Sequence, residues 1–437
     1  MSGEWLSLLT LGILLVLLVT GMPLAFATGL TAVILILSTY GPDALYLIPS
    51  RMLTLMGNYA LIAVPMFVLM GCLLEKAGIV ERLFHALHVW SGRLRGGLAV
   101  GTLLTSTILA AMVGIIGAEI VVLGLVCLPA MLARKYDRRL ALGVICSGGS
   151  LGTLLPPSIV LIVYGLVAQV SIGELFLAAV LPGLLLAGLY IAYVMAVCYF
   201  QPEKGPLADA ADLDMPFGEK VALGRALVLP ILLIGVVLGS LYTGVATPTE
   251  TAGIGVLGAL ILVFINGKFS FGMMADVLKQ TGSTVAMLTW VFFGASALVG
   301  IYTLGGGTSF LQGMISDLPL PPLAIVVVMM LILIVLGAFI DWIGITLLTM
   351  PIFVPIIRDL GFDPIWFGIL FTMNMQISYL TPPFGPAAFY LKAVAPPDVT
   401  LGEIFRSVIP FVMLQVLGLA IVLLFPQLTQ FLPAMMQ

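Results

Sequence analysis

Long apolar runs separated by short polar segments dominate the pattern of this 437-residue chain. Ten stretches of at least 23 residues contain no Asp, Glu, Lys or Arg, and two of them, 5–42 and 280–316, exceed 35 residues. Because a membrane-crossing helix needs about 20 apolar residues, these runs predict about 10 to 12 crossings, starting with a helix from Trp5 to Thr20. The alternating pattern of a membrane barrel is absent. The sequence therefore predicts an all-α polytopic membrane protein.

Composition supports a membrane protein and excludes several other classes. Hydrophobic residues make up 61% of the chain and charged residues only 8%, whereas a soluble domain carries about 25% charged residues. This excludes soluble enzymes, secreted disulfide scaffolds and disordered regulators. A net charge of −3 argues against nucleic acid as a partner. The four cysteines lie apart within apolar segments and carry no redox or metal signal.

Two basic clusters predict a hairpin that enters the membrane and returns to the same side. By the positive-inside rule, both clusters face the cytoplasm. Only 38 residues lie between Arg95 and Arg134, too few for two crossings and a turn, which need about 40 or more. We therefore expect a re-entrant hairpin over about 96–133, with Gly114 and Gly117 at its tip. The clusters are Lys76, Arg82, Arg93 and Arg95, and then Arg134, Lys135, Arg138 and Arg139.

Proline and aspartate positions repeat along the chain at an offset of 226 residues. Pro129 and Asp137 precede the pair Pro156-Pro157 by the same spacings with which Pro355 and Asp363 precede Pro382-Pro383. The repeat predicts two halves, 1–200 and 226–437, joined by a charged linker at 201–225. The first half contains the hairpin and a broken helix at about 140–165. The second half contains a hairpin at about 318–357 and a broken helix at about 364–391.

The second hairpin has acidic flanks where the first has basic ones, so we expect the two to enter from opposite sides. Inverted halves with broken helices are typical of secondary transporters, which bind their substrates and coupling ions near the middle of the membrane. Paired prolines interrupt a helix and free its carbonyl groups, which can coordinate sodium. A simple helix kink is the structural alternative.

Glu119 and Asp341 follow the two predicted hairpin turns closely. Acidic side chains at membrane depth typically mark ion or proton pathways, although each carboxylate could instead cap the start of a hairpin helix. Glu250 is a further candidate, either as a buried acid or as a helix-start residue.

Signatures of enzymes are missing from the sequence. His85 and His88 lack a third metal ligand, and no P-loop, HExxH motif or nucleophile elbow is present. We therefore expect no enzymatic activity, no catalytic residues and no cofactor.

Four motifs in order resemble the large membrane subunit of tripartite ATP-independent periplasmic (TRAP) transporters, and the similarity covers essentially the whole chain. The resemblance implies an elevator-type transporter driven by a sodium gradient, located in the bacterial cell inner membrane. It also implies two partners: a small four-helix membrane subunit and a soluble periplasmic binding protein that delivers the substrate. The motifs are Gly21-Met22-Pro23-Leu24-Ala25-Phe26, Leu154-Leu155-Pro156-Pro157-Ser158-Ile159 with Tyr164-Gly165, Gly337-Ala338-Phe339-Ile340-Asp341, and Leu380-Thr381-Pro382-Pro383-Phe384-Gly385.

The resemblance also implies two sodium sites. The first would use Val113, Ile116, Gly152, Leu155 and Pro157. The second would use Gly337, Ser378, Thr381 and Phe384. Candidate substrate or coupling residues are Glu119, Ser158, Asp341 and Asn374.

One departure from the family pattern affects the first sodium site. Family members often have a Gly-Ser-Ser cluster at the first hairpin tip, where this chain has Gly114-Ile115-Ile116-Gly117. Carbonyl ligation survives that change, whereas side-chain hydroxyl contacts are lost.

The resulting hypothesis is sodium-coupled uptake of a small organic acid or a related polar solute. The resemblance is to a branch associated with mannitol and chloroaromatic compounds. A proton-coupled carrier using Glu119 or Asp341 is one alternative. An ion channel is another, because inverted repeats and re-entrant loops also occur in channels.

Overall fold

The fold is helical throughout the part of the chain that the structure describes. This computed structural model describes residues 3–92, 94–114, 117–207, 216–316, 319–383 and 385–435, and these ranges contain no strand. In a bilayer a helix satisfies its own backbone hydrogen bonds, which an isolated strand cannot do. The prediction of an all-α protein is confirmed.

Ten helices make up the described part of the first half. They are α1 (Gly3–Val19), α2 (Leu24–Thr39), α3 (Leu47–Met56), α4 (Ala63–Lys76), α5 (Ile79–Ser91), α6 (Gly97–Val113), α7 (Ala118–Ala133), α8 (Arg138–Ser150), α9 (Ile159–Ala168) and α10 (Ile172–Phe200). Short 3₁₀ turns lie before α3 and α4, after α8 and after α10.

Ten more helices follow in the described part of the second half. They are α11 (Phe217–Tyr242), α12 (Pro248–Ile265), α13 (Phe271–Leu304), α14 (Gly307–Ser316), α15 (Pro322–Gly337), α16 (Trp342–Asp359), α17 (Pro364–Leu380), α18 (Pro386–Val394), α19 (Leu401–Leu424) and α20 (Gln427–Ala434). Helix α11 begins at Phe217, so the segment predicted as a linker, 201–225, includes its first turns.

Seven helical segments of the described chain are long and apolar enough to cross a membrane. Six shorter apolar helices of 10–17 residues accompany them, namely α1, α2, α6, α7, α9 and α15. Four of these six belong to the hairpins or to a broken helix, where a short length is expected because such elements traverse only part of the bilayer. The chain is a multi-pass membrane protein.

Each half contains a helical hairpin. In the first, α6 and α7 pack against each other, and Gly114 and Gly117 at the turn have φ angles of 64° and 108°. These angles lie in the left-handed region, which glycine adopts without the penalty that a Cβ would bring. In the second, α15 and α16 contact each other, and the turn runs from Ala338 to Asp341.

A broken helix follows each hairpin. Helix α8 ends at Ser150, and α9 begins only after Pro156 and Pro157; α17 ends at Leu380, and α18 begins only after Pro382 and Pro383. The peptide bond within each proline pair is cis.

The repeated aspartates start the broken helices. Asp137 accepts a hydrogen bond from the Leu140 amide at 2.9 Å, and Asp363 accepts one from the Ile365 amide at 2.8 Å. An N-cap carboxylate satisfies a helix donor that otherwise has no partner. This gives a physical reason for the repeated acids in the sequence.

Equivalent elements of the two halves make equivalent contacts with the opposite half. Helix α16 of the second hairpin packs against α9, which follows the first break, while α7 of the first hairpin packs against α18, which follows the second break. At the centre, the Gln376 side-chain amide donates to the Ser150 carbonyl at 3.0 Å. These two residues are 226 positions apart, the repeat offset itself. Repeat-equivalent residues can touch only near the axis that relates the halves.

Glu250 is a helix-start residue and not a buried acid. Its carboxylate accepts a hydrogen bond from the Thr247 amide at 2.8 Å, and its own amide donates to the Thr247 hydroxyl. This is a capping box at the start of α12. Glu250 is exposed, so the alternative of a membrane-buried acid is wrong.

Replacement of the axial glutamine tests how strongly the halves are joined. In Gln376→Leu, the buried Ser150 carbonyl loses one of its two side-chain donors and keeps the Thr153 hydroxyl, which we expect to cost about 0.5–1.5 kcal/mol of unfolding free energy. The measurement is the Tm of the detergent-solubilised chain, with the exposed Gln430→Leu in α20 as the matched control. Equal Tm values for the two variants would contradict this role.

Candidate functional site

A cavity of about 740 Å³ lies where the hairpin turns and breaks meet helices of the surrounding framework. From the hairpins and the first broken helix, its walls include Gly117 at the first hairpin turn, Ile159 at the start of α9 and Trp342 at the start of α16. The remaining walls come from α2, α4, α7, α13, α17 and α18. Its volume falls within the range of about 300–1,000 Å³ typical of small-molecule sites.

The first hairpin turn lies directly on the first break. A Cβ added at Gly114 would overlap with the carbonyl oxygen of Pro157, so only glycine permits this approach. Val113, the last residue of α6, contacts Gly71 of α4. Leu155 packs against Gly183 of α10. Val113, Leu155 and Pro157, three of the predicted ligands of the first sodium site, thus lie at or beside this junction.

Glu119 faces the same break from the first turn of α7. A Cβ at Gly152 would lie 2.7 Å from Glu119 Oε2, so the carboxylate adjoins this fourth predicted ligand. The side chain is only 3% exposed, and neither carboxylate oxygen has a hydrogen-bond partner among the described residues. A buried carboxylate in such surroundings requires a cation or a proton. Glu119 is not an N-cap, since Gly117 holds that position.

The second break holds a much smaller cavity. Its volume is about 10 Å³, and its lining includes Gly337, Asp341, Ser378 and Tyr379. This is room for about one water-sized sphere. A Cβ at Gly337 would overlap with the Ser378 hydroxyl, so the second hairpin and α17 are in direct contact. The predicted ligands Gly337 and Ser378 are therefore brought together at a site the size of a single small ion.

Asp341 lines both the small and the large cavity. It is also the N-cap of α16, because its carboxylate accepts a hydrogen bond from the Ile343 amide at 3.3 Å. The capping alternative is thus correct for Asp341.

Other predicted residues are not part of the lining of the large cavity or lie outside the described chain. The Asn374 amide donates to the Met330 carbonyl at 2.8 Å and ties α17 to α15. Ser158 donates to the Thr153 carbonyl and caps α9. The Thr381 hydroxyl donates to the Ser378 carbonyl at 3.4 Å. Ile116 and Phe384 lie outside the described residues.

Sequence reasoning missed a polar pair and several aromatic walls of the large cavity. Glu75 on α4 accepts a hydrogen bond from the Gln280 amide of α13 at 3.1 Å, and both residues line the cavity. Glu75 precedes Lys76 at the end of an apolar run, so it resembles an ordinary membrane-boundary charge. The aromatic residues of the lining are Phe26, Trp290, Trp342, Tyr379 and Tyr390.

The family model described as "Tripartite ATP-independent periplasmic transporter, DctM component" matches residues 11–428. The chain belongs to this family. TRAP relatives match at nearly full length. The C4-dicarboxylate large permease protein DctM of Pseudomonas aeruginosa is 31% identical over 93% of each chain. The sialic acid large permease protein SiaM of Vibrio cholerae is 31% identical over 95% of this chain and 96% of its own. These TRAP relatives are permeases and not enzymes.

Another TRAP relative and two solved structures extend the comparison. The isethionate permease protein DctMQ of Oleidesulfovibrio alaskensis is 28% identical over 95% of this chain, which spans 64% of that relative. Two transporter structures share the fold: YdaH of Alcanivorax borkumensis (TM-score 0.63, 16% identity, covering 89% of this chain and 90% of that one) and MtrF of Neisseria gonorrhoeae (TM-score 0.64, 14% identity, covering 89% and 85%). At these identities the likeness to the two structures concerns the fold alone.

The contact between the second hairpin and α17 can be tested with one methyl group. Gly337→Ala places a Cβ against Ser378, and we expect this overpacking to cost about 1–3 kcal/mol of unfolding free energy. The double variant Gly337→Ala/Ser378→Gly removes the clash and should recover most of that loss. Thermal unfolding measures both effects.

The matched control is Gly313→Ala in α14, where an added Cβ meets nothing within 4 Å. A similar loss in the control, or no recovery in the double variant, would contradict the packing described for Gly337.

Proposed function

We propose that this chain is the large permease subunit of a sodium-coupled secondary transporter that takes up a small organic acid or a related polar solute. The observation that carries the proposal is the 740 Å³ cavity, which is bounded by both hairpin turns and both broken helices. Membership of the TRAP family supports it. The names of relatives include C4-dicarboxylate, sialic acid and ectoine transporters, all of which handle small polar solutes.

Sodium is proposed as the coupling ion, with no other cofactor. At the first break, the carbonyl groups of Val113, Gly152, Leu155 and Pro157 are the proposed ligands, with the Glu119 carboxylate beside them. At the second, Gly337, Ser378 and Thr381 surround or adjoin the small cavity. Oxygen atoms of this kind suit a hard cation, and backbone carbonyls at broken helices supply them in transporters.

The proposed movement is of the elevator type. The hairpins and broken helices form a bundle that carries solute and ions, and it slides against a framework that includes α2, α4 and α13. The position of the cavity between these two groups of helices supports this proposal.

Two partners and a location complete the proposal. A soluble periplasmic binding protein delivers the solute, and a small four-helix membrane subunit accompanies this chain in the bacterial inner membrane. The fused name DctMQ of one relative supports a companion subunit.

Transport by the assembled system should depend on a sodium gradient. We expect vesicles holding the chain with both proposed partners to accumulate solute only when external sodium exceeds internal sodium. Solute uptake is the measurement, and equal accumulation without the gradient would show that sodium does not drive transport. Unitary currents in the same membranes would indicate a channel.

Two serine variants test whether the sodium that drives uptake binds at the second break. Ser378→Ala removes one proposed oxygen ligand, and we expect it to raise the sodium concentration for half-maximal uptake about tenfold. Ser407→Ala is the matched control, because Ser407 is also a buried helical serine bonded to the carbonyl four residues earlier. An equal effect in both variants would refute the assignment.

Proton coupling is a second candidate, favoured by the Glu119 carboxylate, which lacks a hydrogen-bond partner among the described residues. If protons drive transport, Glu119→Gln or Asp341→Asn should abolish solute accumulation under a pH gradient and remove the pH dependence of binding. Uptake measured with a proton gradient alone separates the two drivers. Wild-type vesicles that accumulate nothing under that gradient would exclude proton coupling.

A further inference from the structure

The charges around the 740 Å³ cavity are all of one sign. Its described lining contains two ionisable acids, Glu75 and Asp341, and no Lys, Arg or His. A carboxylate or phosphate ligand usually meets a basic side chain in its site, because a buried anion needs a compensating charge. The acidic side chains of this cavity wall would instead compensate a positive charge on the ligand.

Two of the helix N-termini at the cavity, those of α16 and α9, are already engaged by side chains of the chain itself. Asp341 accepts from the Ile343 amide at the start of α16, and Ser158 accepts from the Leu161 amide at the start of α9. A solute carboxylate could bind amides of this kind only if no side chain already accepted from them. The first turn of α7 carries a further acid, Glu119. At the starts of α16 and α7 an acid therefore lies beside the partial positive charge of the helix end, whereas the start of α2 has neither an acid nor a side-chain cap.

Glu75 differs from the other two acids in its position. Asp341 adjoins the small cavity and Glu119 adjoins Gly152, so each has a proposed sodium site beside it. Glu75 stands on α4, and its hydrogen-bond partner among the described residues is the neutral Gln280. Its negative charge remains available to a positively charged group in the cavity.

Aromatic rings line the same space. The rings of Phe26 and Trp290 lie with centroids 6.0 Å apart and tilted by 34°, and the Tyr390 ring lies against Gly117 at the first hairpin turn. Aromatic faces attract ammonium groups, and they do so more strongly where water is excluded. A cavity with acidic side chains and aromatic walls is therefore suited to bind a positively charged nitrogen.

We propose that the solute of this cavity carries a positively charged nitrogen, as an amino-acid-like zwitterion or a quaternary ammonium compound does, and that its ammonium group lies between Glu75 and the aromatic walls. The inference rests on the proposed function, since it assigns the substrate class of the same cavity. A solute that carries only carboxylates would have to enter against the charge of Glu75.

A binding screen by charge class tests this inference. The purified full-length chain, in detergent with sodium present, is unfolded thermally with solutes of similar size from four classes. Succinate, lactate, mannitol and glycine betaine are the respective parent compounds of dicarboxylates, monocarboxylates, polyols and ammonium-bearing solutes. We expect ammonium-bearing solutes to raise the Tm and the other three classes to leave it unchanged.

Glu75→Gln keeps the size of the side chain and removes its charge, so we expect about tenfold weaker binding of the ammonium-bearing class. Asp276→Asn is the matched control, because Asp276 is an exposed acid on α13, one turn from Gln280 and outside the cavity lining. If Glu75→Gln does not fold, Trp290→Leu serves instead. It should weaken binding of this class about threefold, while the exposed Trp5→Leu should not.

The outcomes separate this inference from the proposed function. Stabilisation only by carboxylates or only by polyols would overturn the charge class and leave the transporter proposal intact. Undiminished ammonium binding in Glu75→Gln, or in Trp290→Leu where that variant is used, would overturn the assigned position. Absence of binding in all four classes would contradict both the inference and the use of this cavity for small polar solutes.

Discussion

The structure depends on one constraint: inside a bilayer, each backbone amide and carbonyl group needs a partner within the chain. Continuous helices meet this requirement along their length, and a helix broken by prolines does not. The two breaks are therefore placed where other elements cover them. Gly114 brings the first hairpin turn onto the Pro157 carbonyl, and Gly337 brings the second hairpin onto Ser378. Glycines at these contacts let protein exclude lipid from the exposed backbone.

The same covering creates the chemistry of the site. Carbonyl groups that no longer bond within a helix are available as oxygen ligands, and inside a protein their interaction with a cation is stronger than in water. The acids follow this logic, since Glu119 and Asp341 lie at the ends of the hairpin turns, next to the breaks. Structural need and the proposed ion binding thus converge on the same few positions of each half.

Local rules predicted the fold well, and the site only in part. Apolar runs gave the helices, and the spacing of Asp137 and Pro156-Pro157 with its copy 226 residues later gave both broken helices. The walls of the large cavity could not be read from sequence, because Glu75 and Gln280 are more than 200 positions apart and meet only through the packing of α4 on α13. A charge at the end of an apolar run looks the same whether it faces water or a cavity.

Asp341 belongs to the walls of two cavities of very different size. An ion in the small one would change the net charge that a solute meets in the large one. Thermodynamic linkage makes this influence reciprocal: if the ion strengthens solute binding by some factor, the solute strengthens ion binding by the same factor. A single carboxylate shared by two walls is thus enough to make the two occupancies interdependent, without any movement of the backbone.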